Sequence, residues 1–363
     1  MIREVTHGME APALPRPSKR QRLASMCSAA GMLPGLTSLR QVLRKDLRIL
    51  AYHRVLQVDD PAAFAFDLNE VSASPEQFQA QMQLVKRDYD PIQFQDVLAA
   101  WNGGAPLPAR PLIVTFDDGY DDNYHIAFPI LRGLGVPAMF FVSTGHIDSG
   151  QPYAYDWLVY MLCRTRATRL TVPELLLDEP IPEPLEGRRA LAKELLFHLK
   201  GLDAVDQAAV IARLAGAWKM LPEPHAQCRP MTWDQLREMR DAGMEIGAHG
   251  VHHHILAKLS PAAMREEMRE SMETLTRELG APVDVLSYPV GGPDSYDAQV
   301  IEAATQVGFR LGCNYITGVN RLPTTAHFDL QRLSVESEMD LDWFAAMTAM
   351  PEVFAHRKRV RLG

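Results

Sequence analysis

Strand-like and helix-like segments alternate along most of this 363-residue chain, and this alternation constrains the fold more than any other feature. Residues 47–55 form an apolar run suited to a buried strand. The segment Ser74-Pro75-Glu76-Gln77 then begins a helix, with a serine N-cap, a proline in the first turn and a glutamine that completes a capping box. The same pattern predicts strands over residues 111–119, 136–144, 244–250, 283–291, 309–315 and 328–335, and helices over residues 123–135, 232–243, 260–280, 298–308 and 340–350.

Strands that alternate with helices favour a parallel sheet. The predicted strands are continuous apolar runs, which indicates burial on both faces of the sheet. Many such units in series favour a closed or nearly closed α/β barrel, with a doubly wound sheet as the alternative. No G-x-G-x-x-G motif follows the first strand, so the fingerprint of a dinucleotide site is missing.

Composition argues against several classes of protein. A formal net charge of −8 and a pI of about 5.9 argue against a nucleic-acid-binding protein, which normally carries a basic domain or stripe. No stretch approaches the roughly 20 apolar residues of a transmembrane helix, and no clear signal peptide begins the chain, so a cytoplasmic or membrane-peripheral location is expected. The cysteines form no C-x-x-C pair and are expected to be small buried residues in a reducing compartment: Cys27, Cys163, Cys228 and Cys313.

Three segments differ from the alternating pattern. Residues 1–36 are rich in Pro, Ser, Ala and Met and predict a flexible leader, and residues 356–363 form a basic tail. Both are expected to be solvated, although their basic clusters would also suit peripheral contact with an anionic membrane surface. Residues 37–355 form the expected barrel domain. Within it, residues 166–229 predict a helical insertion, which either shapes a substrate cleft or is a decorated loop.

Side chains of the kind that bind metals follow three of the predicted strands. Asp117 and Asp118 lie just beyond the apolar run at residues 111–115, His249 and His253 beyond residues 244–247, and His53 beyond residues 47–51. The C-terminal ends of parallel strands lie on one face of the fold, where catalytic groups gather. We therefore expect these five side chains to lie near one another.

Each group also has an ordinary structural interpretation. Asp-Asp-Gly is common in turns, four histidines within six residues would suit a solvated loop, and a single histidine beside a strand is most often a core or surface residue. The i, i+4 spacing of His249 and His253 favours a metal site. Two imidazoles and one carboxylate leave a coordination position open for water, as in catalytic zinc sites. One aspartate would bind the cation and the other would accept a proton, while His53 would protonate a departing nitrogen.

These residues resemble the polysaccharide deacetylase family with the NodB homology domain, carbohydrate esterase family 4. The first family motif, T-F-D-D-G, is present unchanged at residues 115–119. The second, H-S/T-x-x-H, is matched at His249 and His253, with Gly250 in place of the hydroxyl residue. The resemblance spans roughly residues 47–335.

The resemblance implies a distorted (β/α)7 barrel of the NodB type that binds one divalent cation, usually zinc, with cobalt or nickel as alternatives. Asp118, His249 and His253 would bind the cation, and Asp117 would be the general base. Such a cation polarises an acetyl carbonyl and makes water nucleophilic near neutral pH.

The third family motif, R-x-P-Y-G, is altered here to Ser-Tyr-Pro-Val-Gly at residues 287–291. The resemblance assigns an oxyanion contact to the backbone N–H of Val290 and makes Tyr288 a candidate for substrate binding. Ser287 stands where the family has an arginine that orients the base aspartate. The loss of that arginine is the main departure from the family pattern.

The late L-x-H motif of the family is also absent. In a circularly permuted branch that resembles the poly-N-acetylglucosamine deacetylases, the acid histidine comes from an early Y-H-x-V strand. This chain has that pattern at residues 52–55, so His53 is the expected general acid. Asp156 resembles a family aspartate beside aromatic residues, and it is expected either to contact the sugar or to cap a helix.

The sequence therefore predicts a metal-dependent hydrolase that removes N-acetyl groups from an N-acetylhexosamine-containing glycan or glycan precursor. One alternative is a related hydrolase acting on a non-sugar amide or a cyclic ureide, because such relatives often alter the third motif. Another is a catalytically inactive glycan-binding protein, against which the intact aspartate and histidine motifs argue. The oligomeric state is left open.

Overall fold

Seven short strands form a closed parallel barrel in the computed structural model, which describes residues 18–324 and 326–355. Each strand pairs in parallel with its neighbours in chain order, and pairing of the last strand with the first completes the ring. This confirms the predicted (β/α)7 barrel, and the doubly wound alternative is wrong. In chain order the strands are Asp46–Tyr52, Pro111–Phe116, Ala138–Val142, Glu245–Ala248, Val285–Ser287, Leu311–Thr317 and Leu330–Ser334.

Helices surround this barrel, and several begin at the predicted caps. Ser74 and Thr232 each form a capping box, and Ser260 caps the longest helix. The helices after the first barrel strand are Pro75–Asp88, Phe94–Trp101, Phe128–Leu134, Thr144–Ser149, Ala154–Arg164, Leu185–Leu199, Ala204–Trp218, Trp233–Asp241, Pro261–Leu279, Ala298–Val307, Leu341–Ala349 and Pro351–Phe354. A π-helical turn, Asn123–Ala127, and three short 3-10 turns supplement them: Leu68–Glu70, Pro173–Leu175 and Leu256–Lys258.

Several short strands lie outside the ring of seven and pair with a barrel strand or with each other. Asp90–Pro91 extends the sheet beside the second barrel strand, and Asn320–Arg321 pairs antiparallel with the start of the first. Arg54–Val55 pairs with Val71–Ala73 just beyond the first barrel strand. This small sheet supports the segment that contains His53.

Alternate side chains of the barrel strands fall into two apolar clusters, as expected for strands buried on both faces. One cluster contains Leu50 and Val114 together with surrounding helices, so it lies between the barrel and its helical shell. The other contains Ile49 and Ile113 and fills the barrel interior, where the helix Phe94–Trp101 covers one end. The barrel is therefore a packed support for its loops.

The prediction of a flexible leader is wrong for residues 18–36. Ser18 and Gln21 form a capping box at the start of the helix Lys19–Ala29, and the helix Met32–Leu43 follows. Gln21 also donates a hydrogen bond to the Glu338 carbonyl, so the first helix is tied to the far end of the chain. Composition failed here because it records neither the local capping box nor the contact with Glu338. Residues 1–17 of the leader and the basic tail at residues 356–363 lie outside the described residues.

The insertion at residues 166–229 contains more than the predicted helices. The strands Arg169–Val172 and Leu177–Pro180 form an antiparallel hairpin before the two helices. These elements share a separate apolar core with the helix Ala154–Arg164, centred on side chains such as Trp157 and Leu195. The segment is thus a small packed subdomain attached to the barrel.

Two further observations bear on composition. All four cysteines are free and buried, as predicted. Among the described residues, none of the helices combines the length and apolar character that crossing a membrane requires.

Arg40 joins the N-terminal helices to the barrel through a buried ion-pair network. Its guanidinium donates to Asp46, the first residue of the barrel, at 2.6 and 2.9 Å, and to Glu352 at 2.6 and 2.8 Å. We expect Arg40→Met to lower the free energy of unfolding by about 3 kcal/mol, because Asp46 would stay buried without its partner. Urea denaturation followed by circular dichroism measures this change.

Arg44 provides the matched control. It also pairs with Glu352, at 3.2 Å, but its side chain is 54% exposed. Arg44→Met should cost only about 0.5 kcal/mol, as expected for a solvent-screened pair. Equal losses for the two variants would contradict the assignment of the buried network as the link.

Candidate active site

The C-terminal ends of the barrel strands meet at one mouth, where they line a cleft of about 720 Å³. His53 follows the first barrel strand, Asp117 and Asp118 the second, and His249 the fourth. All four line the cleft together with His253. The sequence predicted this convergence.

Asp118, His249 and His253 form a compact set of metal-ligand atoms. The Nε2 atoms of His249 and His253 each lie 3.4 Å from Asp118 Oδ1, and one ligand atom from each residue lies within 4.8 Å of the others. Asp118 Oδ1 is buried and has no hydrogen-bond partner among the described residues. A carboxylate oxygen left in this way beside two imidazoles fits a divalent cation, so the residues present suit the implied metal.

Hydrogen bonding and burial prepare the histidines for this role. His249 Nδ1 lies 2.8 Å from the Ser287 carbonyl oxygen, to which only an Nδ1–H can donate, so Nε2 is the ring nitrogen left to bind a cation beside Asp118. Burial lowers the pKa of His253 to about 3, which keeps its ring neutral. Burial opposes the charge on Asp118, but the imidazoles of His249, His253 and His53 outweigh it and lower the pKa of this carboxyl. His253 thus offers a neutral imidazole and Asp118 an ionised carboxylate. Burial also opposes a charge on His249, but the neighbouring Asp118 and Asp117 outweigh it and raise the pKa of that ring.

The backbone at this site is strained. Asp118, His253 and Val290 adopt φ values of 75°, 58° and 65°, in the left-handed region that non-glycine residues rarely occupy. Val290 is the least expected of them, since its side chain is β-branched. The Tyr153 hydroxyl donates a 2.6 Å hydrogen bond to the Asp118 carbonyl oxygen and holds one of these turns.

Glu267 holds the loop that carries both histidines, and the sequence analysis did not identify it. Its buried carboxylate accepts hydrogen bonds from the backbone N–H groups of Val251 at 2.9 Å and His252 at 2.6 Å. Gly250 replaces the usual hydroxyl residue at a φ of 76°, and a Cβ there would meet Glu267 Oε1 at 3.0 Å. Glycine thus suits both the turn and the close carboxylate.

Arg332 is the second residue that the sequence analysis missed. Its Nη1 and Nη2 donate to the two carboxylate oxygens of Asp117 at 2.8 and 2.7 Å, and its Nη2 also donates to Ser287 Oγ at 3.0 Å. Burial alone would raise the pKa of Asp117, but the charge and hydrogen bonds of Arg332 lower it. Asp117 is therefore held ionised and in a fixed orientation.

His53 approaches Asp118 at the carboxylate oxygen that the other two histidines do not approach. Its Nε2 is 3.6 Å from Glu70 Oε2 and 4.0 Å from Asp118 Oδ2, and its Nδ1 is 3.4 Å from the Tyr315 hydroxyl. His53, Glu70 and Asp118 also satisfy the spacing of a metal-ligand set. The unpartnered oxygen of Asp118 faces the other two histidines, so the cation site is better placed on that side.

The remaining predicted residues fall in different places. Val290 lines the cleft. Tyr288 does not: its side chain is fully buried, and its hydroxyl donates to the Phe328 carbonyl at 2.9 Å, so the prediction that it contacts substrate is wrong. Ser287 faces the barrel interior, where it contacts Arg332, whereas the side chain of the next residue lies in the apolar layer between the barrel and its helices.

Asp156 lines the cleft and makes no helix-capping hydrogen bond. Its Oδ2 accepts hydrogen bonds from the Tyr120 hydroxyl at 2.8 Å and, more weakly, from Cys228 Sγ at 3.3 Å. Burial, together with the nearby charge of Glu70, raises the pKa of Asp156 to about 7. Of its two predicted roles, the structure excludes capping.

A comparison with known families agrees with this geometry. The family model described as polysaccharide deacetylase matches residues 104–176 and 182–312, more than half of the chain. The chain belongs to the polysaccharide deacetylase family. The predicted family and enzyme class are confirmed. The matched residues include both aspartates and the histidines of the metal-ligand set, whereas His53 and Arg332 lie outside them.

Part of the chain is also similar in sequence to individual proteins that are named as deacetylases of a polysaccharide. The chain is 35% identical over 100 residues to a poly-beta-1,6-N-acetyl-D-glucosamine N-deacetylase of Escherichia coli, covering 28% of this chain and 14% of the relative. It is 30% identical over 116 residues to a protein of the same name from Staphylococcus aureus, covering 30% and 40%. The chain thus aligns with less than half the length of each relative.

Solved deacetylase structures share the fold. The Streptococcus pyogenes deacetylase PplD superposes with a TM-score of 0.57 and 20% identity, covering 85% of this chain and all of that one. IcaB from Ammonifex degensii superposes with a TM-score of 0.52 and 19% identity, covering 84% and 97%.

Removing the Glu267 carboxylate should weaken metal binding. We expect Glu267→Ala to reduce the affinity for Zn²⁺ or Co²⁺ by about 10- to 100-fold, because the loop of His249 and His253 loses its backbone anchor. Calorimetric titration of the metal-free protein measures this affinity. Glu270→Ala, an exposed change on the same helix, should leave it unaltered. Equal affinities for the two variants would show that the loop holds its shape without Glu267.

Proposed function

We propose that this protein is a metal-dependent hydrolase that removes acetyl groups from N-acetylhexosamine residues of a glycan. One observation carries the proposal. A buried set of metal ligands, Asp118, His249 and His253, lies beside an ionised carboxylate, Asp117, that is oriented by a buried arginine. This combination pairs a cation site with a base, as amide hydrolysis by water requires.

We assign one divalent cation to Asp118, His249 and His253. The mixed imidazole and carboxylate ligands suit Zn²⁺, with Co²⁺ or Ni²⁺ as alternatives. The cation would supply Lewis-acid polarisation of the acetyl carbonyl and would lower the pKa of the attacking water. Protein side chains would carry out the proton transfers.

Asp117 is the proposed general base. It would accept a proton from the water as the water oxygen bonds to the acetyl carbon. Arg332 keeps its carboxylate ionised and fixes the direction of both oxygens, so Asp117 is ready to accept this proton at neutral pH.

His53 is the proposed general acid. Cleavage of the C–N bond leaves a basic amine, which must receive a proton as acetate departs. His53 lines the cleft with its Nε2 4.0 Å from Asp118 Oδ2, so it would be within reach of a nitrogen that departs beside the cation site. The backbone N–H of Val290, held at its strained φ, would donate to the carbonyl oxygen as negative charge develops there.

The names of the relatives support a poly-N-acetylglucosamine type of substrate. Partly exposed aromatic side chains suited to contact sugar rings line the cleft, including Tyr155 and Tyr315. Its volume of about 720 Å³ is in the range typical of small-molecule sites and exceeds the size of an acetyl group. A carbohydrate therefore suits the cleft.

Acetate release tests the proposal. Purified protein should release acetate from N-acetylglucosamine oligomers, lose activity with a chelator and regain it with Zn²⁺ or Co²⁺. Asp117→Asn should lower kcat at least about 100-fold and still bind the cation, because only the base is removed. His249→Ala should lose both turnover and metal affinity.

Two results would point elsewhere. Hydrolysis of imides or allantoin-like ureides, with no acetate from any N-acetylated sugar, would support the related C–N hydrolase. Tight glycan binding with no acetate release in the metal-loaded protein would support a binding role without catalysis.

The Asp117–Arg332 pair predicts a specific pH effect. Since burial raises and Arg332 lowers the pKa of Asp117, Arg332→Met should raise that pKa. Asp117 accepts a proton only when ionised, so the acid limb of the kcat/KM profile should move to higher pH in the variant, with partial recovery of rate above the new limb. Arg310→Met, which alters an arginine outside the cleft, should leave the profile unchanged. A uniform loss across the pH range would indicate that Arg332 affects only folding.

A further inference from the structure

One helix of the insertion presents a stripe of side chains to the cleft. Lys193, Leu196 and Phe197 of the helix Leu185–Leu199, together with its C-cap Lys200, all line the cleft. Their spacing is i, i+3, i+4 and i+7, which places them on one face of a helix. The stripe has an apolar centre with an ammonium group toward each end.

The other face of this helix is anchored. Leu191, Leu195 and Leu199 are buried in the core of the insertion, where the helix Ala154–Arg164 also packs. Arg189 donates hydrogen bonds to the carbonyl oxygens of Pro61 and Phe64, in a loop of the barrel. The stripe is thus held as a wall of the cleft by contacts to both parts of the molecule.

Phe197 is unusual among the apolar side chains of this protein. It is 70% exposed, and among the exposed large apolar side chains of the described residues it alone lines the cleft. An exposed aromatic ring at a cleft marks a site for a ligand surface that is itself partly apolar. The C–H face of a pyranose ring has this character.

The stripe also approaches the metal-ligand set. The Lys200 ammonium lies 5.0 Å from the centre of the Tyr155 ring, which lies 6.2 Å from the centre of the His253 ring. Phe197 precedes Lys200 by three residues, a rise of about 4.5 Å along the helix. The stripe and the metal-ligand set therefore line one continuous cleft, which a glycan longer than one sugar can span.

We propose that this stripe, carried by the insertion, is a subsite for a neighbouring sugar of the glycan, beyond the one that is deacetylated. The inference rests on the proposed function and deepens it. Phe197 would stack on the pyranose ring, while the ammonium groups of Lys193 and Lys200 would donate hydrogen bonds to hydroxyl or carbonyl oxygens of the same neighbour. The insertion would then be the part of this chain that favours an oligosaccharide over a single N-acetylhexosamine.

Chain-length dependence tests the subsite. We expect kcat/KM for acetate release to rise from N-acetylglucosamine to its di- and trisaccharide in the metal-loaded protein. Phe197→Leu should lower the value for the trisaccharide about tenfold, as for loss of a central aromatic contact, and leave that for the monosaccharide unchanged. Phe197→Trp should retain the length dependence, because the ring is kept.

A matched control and a binding measurement complete the test. Val205→Ala, a change at an exposed residue of the insertion outside the cleft, should alter neither value. Calorimetric titration of the trisaccharide into the Asp117→Asn protein, with and without Phe197→Leu, reports the subsite without turnover. Equal affinities in that titration, or equal losses for mono- and trisaccharide, would overturn the subsite. Absence of acetate release from every sugar by the unaltered protein would instead refute the proposed function.

Discussion

Parallel pairing between the first and second barrel strands is the constraint on which the site depends. Five residue pairs join them, from Arg48 opposite Leu112 to Tyr52 opposite Phe116, and the ladder ends where the Asp117 N–H donates to the Tyr52 carbonyl. Since a shift of one residue would turn each side chain to the other face, this register decides which groups reach the mouth. It is also what brings His53 beside the adjacent aspartates.

Several supports acting on strained loops then set the geometry at the mouth. Three residues of the site have a left-handed backbone conformation: Asp118, His253 and Val290. Such strained conformations persist only where contacts with the surrounding structure hold them in place. Tyr153 holds the carbonyl of one loop and Glu267 the backbone N–H groups of another. These supports come from helices outside the barrel, so the helical shell also orders the site.

The sequence predicted the parts of this structure that have a local signature. Strands and helices were readable because periodicity and caps act over a few residues, and the adjacent aspartates and spaced histidines were readable because metal ligands form short motifs. Glu267 and Phe197 have no such signature, since their roles depend on which loop or cleft a helix faces. The helix after Ser18 did have one: Ser18 and Gln21 form a capping box. A composition rich in proline and serine around it outweighed that signal, and the prediction of a leader was wrong there.

The arginine of the third motif illustrates why a missing residue need not be a missing function. Ser287, which matches the arginine position of the family motif, ends the fifth barrel strand, and Arg332 reaches the Asp117 carboxylate from the seventh. A barrel interior is shared by all strands, so a long side chain from a different strand can bring its charge to the same carboxylate. Arg332 donates to both Asp117 and Ser287 Oγ, and the small serine leaves room for this guanidinium. Substitution of either residue alone therefore alters one shared arrangement, in which a smaller side chain on one strand accommodates a larger one on another.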